Sequence, residues 1–114
     1  ANVNSAYMIN AYLYGADLTD ASLYGTDLTN AYLRDADLTD TALSYANLTD
    51  ADLRNAELTN ADLLNADLTN AYLYGADLTN ADFSFATVTN AVFTSTTWSN
   101  TIWTDGVAYN TNQA

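Results

Sequence analysis

Carboxylates are the most numerous reactive side chains of this chain. Fourteen Asp and Glu stand against two basic residues, Arg34 and Arg54, and there is no His, Lys or Cys. Paired carboxylates can serve general acid–base catalysis or hold a hard cation. Here, however, they recur because a short pattern recurs: Asp17, Asp37, Glu57 and Asp77 fall at equal intervals. Spacing alone therefore nominates no catalytic dyad. Without Cys and His, disulfides, thiolate chemistry and zinc clusters are excluded. No Gly-rich phosphate loop and no EF-hand-type loop occurs. The expectation is a protein that is not an enzyme and uses no cofactor or metal.

The pattern behind those carboxylates is a period of five, unbroken from Ala1 to about Asp105. In frame it reads Ala-Asp-Leu-Thr-Asp at residues 16 to 20, Ala-Tyr-Leu-Arg-Asp at 31 to 35 and Ala-Asp-Leu-Thr-Asn at 66 to 70. On an α-helix a step of five turns the central residue by about 140°, scattering Leu18, Leu23, Leu28 and Leu33 around every side. On a flat strand an odd period sends successive Leu to opposite faces. A bend within every block resolves the conflict and aims all central residues at one axis. The fifth positions suit that bend. Gly15, Asp20, Gly25, Asn30, Asp50 and Asn60 are residue types that tolerate the left-handed conformation at the third place of a type II turn. Four bends close a square, and the next coil stacks at roughly 4.8 Å.

These blocks resemble the pentapeptide repeat motif A-[DN]-L-x-x over about nine-tenths of the chain. The resemblance implies an all-β fold, a right-handed quadrilateral β-helix of about five coils and a rod on the order of 25 Å long. The expected organisation is a β-helix over 1–105 and a C-terminal turn and tail over 106–114. The expected core is the column from Leu13 to Leu78. The first blocks, around Val3 and Met8, lack the usual Leu and are expected to fray.

Sorting the blocks by every fourth one gives four walls. One stacks Asp17, Asp37, Glu57 and Asp77 beside Thr19, Thr39, Thr59 and Thr79. Its readings are a solvated face that keeps the rod soluble or a weak cation ladder. The opposite wall stacks Asp27, Asn47, Asp67 and Thr87 beside Thr29, Thr49, Thr69 and Thr89. The third carries Tyr12 and Tyr14, Tyr32 and Arg34, Asp52 and Arg54, then Tyr72 and Tyr74. Tyr and Arg anchor protein interfaces, so this strip is the candidate partner surface, with plain cross-coil stacking as the alternative. The fourth shows Tyr24, Tyr45, Leu64 and Phe85 outward or at corners.

Near the C-terminus Phe83, Phe93, Trp98 and Trp103 replace Leu. A repeat of twenty puts Trp103 over Phe83, Trp98 over Leu78 and Phe93 over Leu73. They read as a cap on the last coil or as the interface of a homodimer through the C-terminal end, the end by which dimeric members of the resembled family pair. Thr104-Asp105-Gly106-Val107 reads as a tight turn leaving the solenoid. Trp103-Thr104-Asp105-Gly106 is similar to the ending of some exported bacterial relatives.

A net charge of −12 disfavours nucleic acid and anionic membranes as direct partners, and no apolar run reaches spanning length. The 49% hydrophobic content supports a packed core and argues against disorder. The chain opens on Ala1 rather than Met, and a lost signal peptide is one reading of that. An exported bacterial protein, periplasmic or secreted, is favoured over a cytoplasmic one.

The functional expectation is a non-catalytic structural or protein–protein interaction module with another protein as partner. The resemblance also offers an acidic DNA mimic that inhibits DNA gyrase, though such relatives form longer rods. The Thr columns offer an ice-binding face, weakened by the hydrated Asp beside each one.

Overall fold

The computed structural model describes residues 2–105 and 108–109. Throughout the repeat, a residue pairs in parallel with the one twenty positions later. Five bridges in series carry one column from Asn2 through Ser22, Ala42, Asp62 and Asp82 to Ile102. Parallel columns start at Tyr7, Tyr12 and Asp17, so four blocks complete each circuit and define four walls. The walls are ladders of single bridges because the chain turns immediately after each one.

The corner explains the period. Ala21 N–H donates to the Leu18 carbonyl at 2.9 Å, closing a turn around Thr19 and Asp20, and Asp20 sits at φ 59°. Fifth-position residues from Ser5 to Asn100 all have φ between 53° and 73°. That left-handed region is open to Gly and tolerated by Asn and Asp, which is why those types dominate the corners. Three other amides of each block run along the axis. Leu18 N–H donates to the Asp37 carbonyl at 2.8 Å, Asp20 N–H to Thr39 at 3.0 Å and Asp37 N–H back to Ala16 at 2.9 Å.

Leu23 through Leu78 and Phe83 are fully buried, lined by the small alanines of the first positions. Burial of each Leu contributes about 1.5–3 kcal/mol before entropy is counted. Leu13 and Leu18 depart from the expected column: they are only partly buried, because a coil stacks on them from one side. The first blocks are not loose in the structure. Val3 N–H donates to the Ser22 carbonyl at 2.9 Å and Met8 N–H to Asp27 at 2.7 Å, and both side chains pack on the core.

Thr26, Thr41 and Thr101 take the interior place of Ala and are buried. Their hydroxyls donate to the carbonyls of Val3, Leu18 and Leu78 at 3.0, 2.9 and 2.7 Å. The added oxygen is thus satisfied by the coil before it, as burial of a hydroxyl requires. No buried side-chain polar atom lacks a partner among the described residues.

At the C-terminus the chain turns at Thr104 and Asp105. Strand β2 (Ala108–Tyr109) then pairs antiparallel with β1 (Thr101–Ile102), Thr101 opposite Tyr109. The expected tail therefore adds a strand to the last coil instead of simply leaving it. Gly106, Val107 and residues 110–114 lie outside the described residues. The longest extent is 32 Å.

Candidate functional site

The walls carry the surface chemistry, and the second residue of each block organises it. The fourth-position amide takes no part in the axial ladder. A side-chain oxygen at the second position fills the gap: Thr19 N–H donates to Asp17 Oδ1 at 3.1 Å, Thr39 to Asp37 at 3.0 Å and Thr79 to Asp77 at 3.0 Å. The same contact recurs at Asp27, Asp52, Asp62, Asp67 and Asp82, and at Asn47. This is an Asx turn, and its acceptor role explains why Asp and Asn fill the second positions. The sequence signal for it is the Asp-Leu-Thr spacing, in which the carboxylate stands two residues before the amide it accepts from.

On the acidic wall, Asp17, Asp37, Glu57 and Asp77 stack through consecutive bridges. The Thr19 hydroxyl and amide hold Asp17 below the usual carboxylate range, against the opposing charge of Asp37. Thr39 does the same for Asp37. The Asp77 carboxylate accepts from the Thr79 hydroxyl at 2.6 Å. The three aspartates of this wall are turned onto their own threonines. Among the described residues no group of three or more His, Cys, Asp or Glu is placed to hold a metal.

On the opposite wall the Thr hydroxyls are similarly engaged. Thr29 donates to Asp27 and Thr49 to Asn47, each at 2.6 Å, and Thr69 to Asp67. The Thr column therefore points along its own corners.

The third wall collects the aromatic and cationic side chains named from the sequence. Tyr12, Tyr32, Asp52 and Tyr72 stack through consecutive bridges. Tyr14, Arg34, Arg54 and Tyr74 lie two residues further along their rows. Tyr12, Tyr14, Tyr32, Tyr72 and Tyr74 are all at least half exposed. The Tyr12 ring stacks on Tyr14 at 6.4 Å and meets Tyr32 at 6.1 Å. Arg54 grips Asp52 with two donors, Nε to Oδ1 at 2.8 Å and Nη2 to Oδ2 at 2.6 Å. That grip holds the Asp52 carboxyl below its usual range and raises the Arg54 guanidinium. Arg34 lies 3.8 Å from the Asp35 carboxylate, and Asp35 also raises the Tyr14 hydroxyl by hydrogen bonding. A groove of about 650 Å³ runs along the corner of Asn10, Asn30 and Asp50 and is lined also by Tyr32, Asp52, Arg54 and Tyr72. The sequence placed these residues on one wall but did not disclose the groove, which exists because Asp52 is short between two tyrosines.

The fourth wall and its corner expose Tyr24, Tyr45 and Phe85, with Tyr24 and Tyr45 in ring contact at 5.4 Å.

At the C-terminal end the rings pack on one another. Trp103 lies 5.1 Å from Phe83, 4.9 Å from Phe93 and 4.6 Å from Trp98, stacked on the last. The Trp98 indole N–H donates to Thr96 Oγ1 at 2.8 Å, and the Thr96 hydroxyl donates to the Phe93 carbonyl at 2.8 Å. Phe93 and Trp98 are buried and Trp103 half-buried. The expected stacking on Leu73, Leu78 and Phe83 is in register, through Tyr72–Val92, Asp77–Thr97 and Asp82–Ile102.

Comparison with solved structures places the same architecture elsewhere. A pentapeptide repeat protein (Rfr23) from the cyanobacterium Cyanothece 51142 superposes with a TM-score of 0.82 at 26% identity, covering 90% of this chain and 88% of the other. One from the thylakoid lumen of Arabidopsis thaliana gives 0.66 at 25% identity, covering 95% and 68%. A trypsin-treated form of QnrB1, a plasmid-mediated fluoroquinolone resistance protein, gives 0.80 at 18% identity, covering 88% of this chain but 52% of QnrB1. That last likeness is one of fold. No curated protein matches the sequence. The family model for pentapeptide repeats matches in eight copies over residues 1–35, 36–73 and 56–94, and the chain belongs to the pentapeptide repeat family.

Proposed function

We propose that this chain is a right-handed quadrilateral β-helix of about five coils that acts as a non-catalytic protein–protein interaction module. The coil number rests on the five bridges in series from Asn2 to Ile102. The contact surface is the third wall. One observation carries this reading: both arginines and five exposed tyrosines share a single rigid face, and Tyr and Arg are the residues on which interface energy concentrates. The C-terminal ring cluster caps the last coil.

The test replaces Tyr32, Arg34 and Arg54 by Ser and compares wild type and variant in crosslinking and affinity capture from the source cells. Loss of a captured protein with unchanged dichroism supports the wall. Retention of every captured protein overturns it.

The DNA-mimic alternative draws on the acidic surface and on the fold shared with QnrB1. Its weakness is size: a 32 Å extent falls short of one duplex turn of about 34 Å. A supercoiling assay with DNA gyrase and micromolar protein is expected to show no protection. Ice binding is disfavoured because the hydroxyls of Thr29, Thr49 and Thr69 are engaged by Asp27, Asn47 and Asp67 on their own wall, and no inhibition of ice recrystallisation is expected.

A further inference from the structure

We propose that the groove between Tyr32 and Tyr72 seats one arginine side chain of a protein partner. The inference rests on the third wall being a contact surface and names the chemistry it selects. Along the second-position column the order is Tyr32, Asp52, Tyr72, so the backbones of the two tyrosines are separated by two coil spacings, about 9.6 Å. A group midway lies about 4.8 Å from each side. That is within the roughly 6 Å over which an aromatic face attracts a cation. The Tyr32 ring contacts Tyr12, one coil away on the side opposite Asp52.

Charge selects the sign of the occupant. Arg54 neutralises Asp52 through its two-donor contact, leaving Asp50 at the groove's edge as the surplus charge. The chain as a whole carries −12, and a field of that sign concentrates cations at the surface. An anionic side chain would meet a guanidinium already committed to Asp52.

Shape then selects among cations. Two tyrosines line the groove, and a guanidinium is planar, weakly hydrated and stacks on aromatic faces, whereas an ammonium is compact and strongly hydrated. The Asp50 carboxylate, on the same coil as Asp52, and the amide oxygen of Asn30, one coil below, offer acceptors to its outward N–H groups. About 650 Å³ accommodates the fork together with its aliphatic stem.

The probe is acetyl-Gly-Arg-Gly-amide, titrated into the full chain while the tyrosine ring resonances are followed by NMR. Saturable shifts at Tyr32 and Tyr72 are expected. The citrulline peptide, equal in shape but uncharged, should bind about tenfold more weakly. Tyr72→Ser should weaken the arginine peptide about fivefold, Tyr72→Phe should retain it, and Tyr24→Ser should leave it unchanged. Equal binding of the citrulline peptide, or binding indifferent to Tyr72→Ser, would overturn the slot, as would an absence of shifts at millimolar peptide. The two readings fail separately. If the Ser triple variant loses its captured protein while the peptide never binds, the wall stands and the slot falls. If the peptide binds as described while the triple variant keeps every captured protein, the slot stands and the wall falls.

Discussion

Trp98 and Thr96 form a buried polar pair inside an otherwise aromatic cluster, the indole N–H donating to the hydroxyl at 2.8 Å. Thr96 passes the bond on to the Phe93 carbonyl, so one threonine ties together two of the rings that close the last coil. Thr96→Val keeps the volume but leaves the indole N–H without its acceptor. The expected loss is about 1–3 kcal/mol, read as a lower urea midpoint. Trp98→Phe in the Thr96→Val background should cost less than Trp98→Phe in the wild type, because the orphaned donor is gone.

Leu58 and Leu18 occupy equivalent places in the repeat but not in the stack. Leu58 is wholly buried between coils, and Leu18 is only partly so. Leu58→Ala should cost about 2–5 kcal/mol, and Leu18→Ala clearly less. Equal losses in denaturant titrations would mean that the first coil is as enclosed as the middle one.

Phe85 holds a corner at φ 57° with its ring largely in solvent. A bulky side chain in the left-handed region costs roughly 1–2 kcal/mol, and exposure recovers little of it. Phe85→Asn, which follows the rule of the other corners, should stabilise the fold by about 1 kcal/mol. Tyr45, at φ 61°, should gain less from the same change because it would lose its contact with Tyr24.

The Asp52 carboxyl is held below its ordinary value, first by hydrogen bonding from Arg54. Folded Asp52 thus binds fewer protons than unfolded Asp52 at mildly acidic pH. Its contribution is therefore present above the unfolded value of about 3.8 and disappears as pH falls through the lower folded value. The stability gap between wild type and Asp52→Asn should be constant above about pH 5 and close below about pH 4. Its size should be at most about 1 kcal/mol, since Arg54 is half exposed. A gap that persists at pH 2 would contradict the assignment.

Light scattering tests the ring cluster. With Phe93 and Trp98 buried within the chain, Trp103→Ser should lower stability without changing the molecular mass in solution. A halving of that mass would identify the cluster as an interface between copies.

The winding was legible in the sequence because every block meets the same surroundings, so one residue type recurs wherever one environment recurs. Leu33, Leu38 and Leu43 sit on a common axis for that reason, and Asn30 and Asp50 mark corners for theirs. The coil-to-coil register was legible too, from the repeat of twenty, whereas the side-chain contacts made across it were not. The buried hydroxyl of Thr41 satisfied by Leu18, the pairing of Thr101 with Tyr109 and the gap left by Asp52 between its tyrosines all arise from what stacks above or below. The second-position aspartates carry two signals in one side chain, a charge that marks the surface and an oxygen that accepts from the amide two residues on, and only the spacing Asp-x-Thr separates the two.

Asn47 sits among the aspartates of its wall and does the same work. Its Oδ1 accepts from the Thr49 amide and hydroxyl at 3.0 and 2.6 Å, with geometry matching Asp27 beside it. At this position the winding therefore accepts an amide oxygen in place of a carboxylate oxygen. Eight aspartates of the described residues stand where an amide would serve the backbone equally well. The electrostatic potential of the rod is in that sense an independent variable, one that amino-acid exchange can dial down, wall by wall, on an unchanged frame.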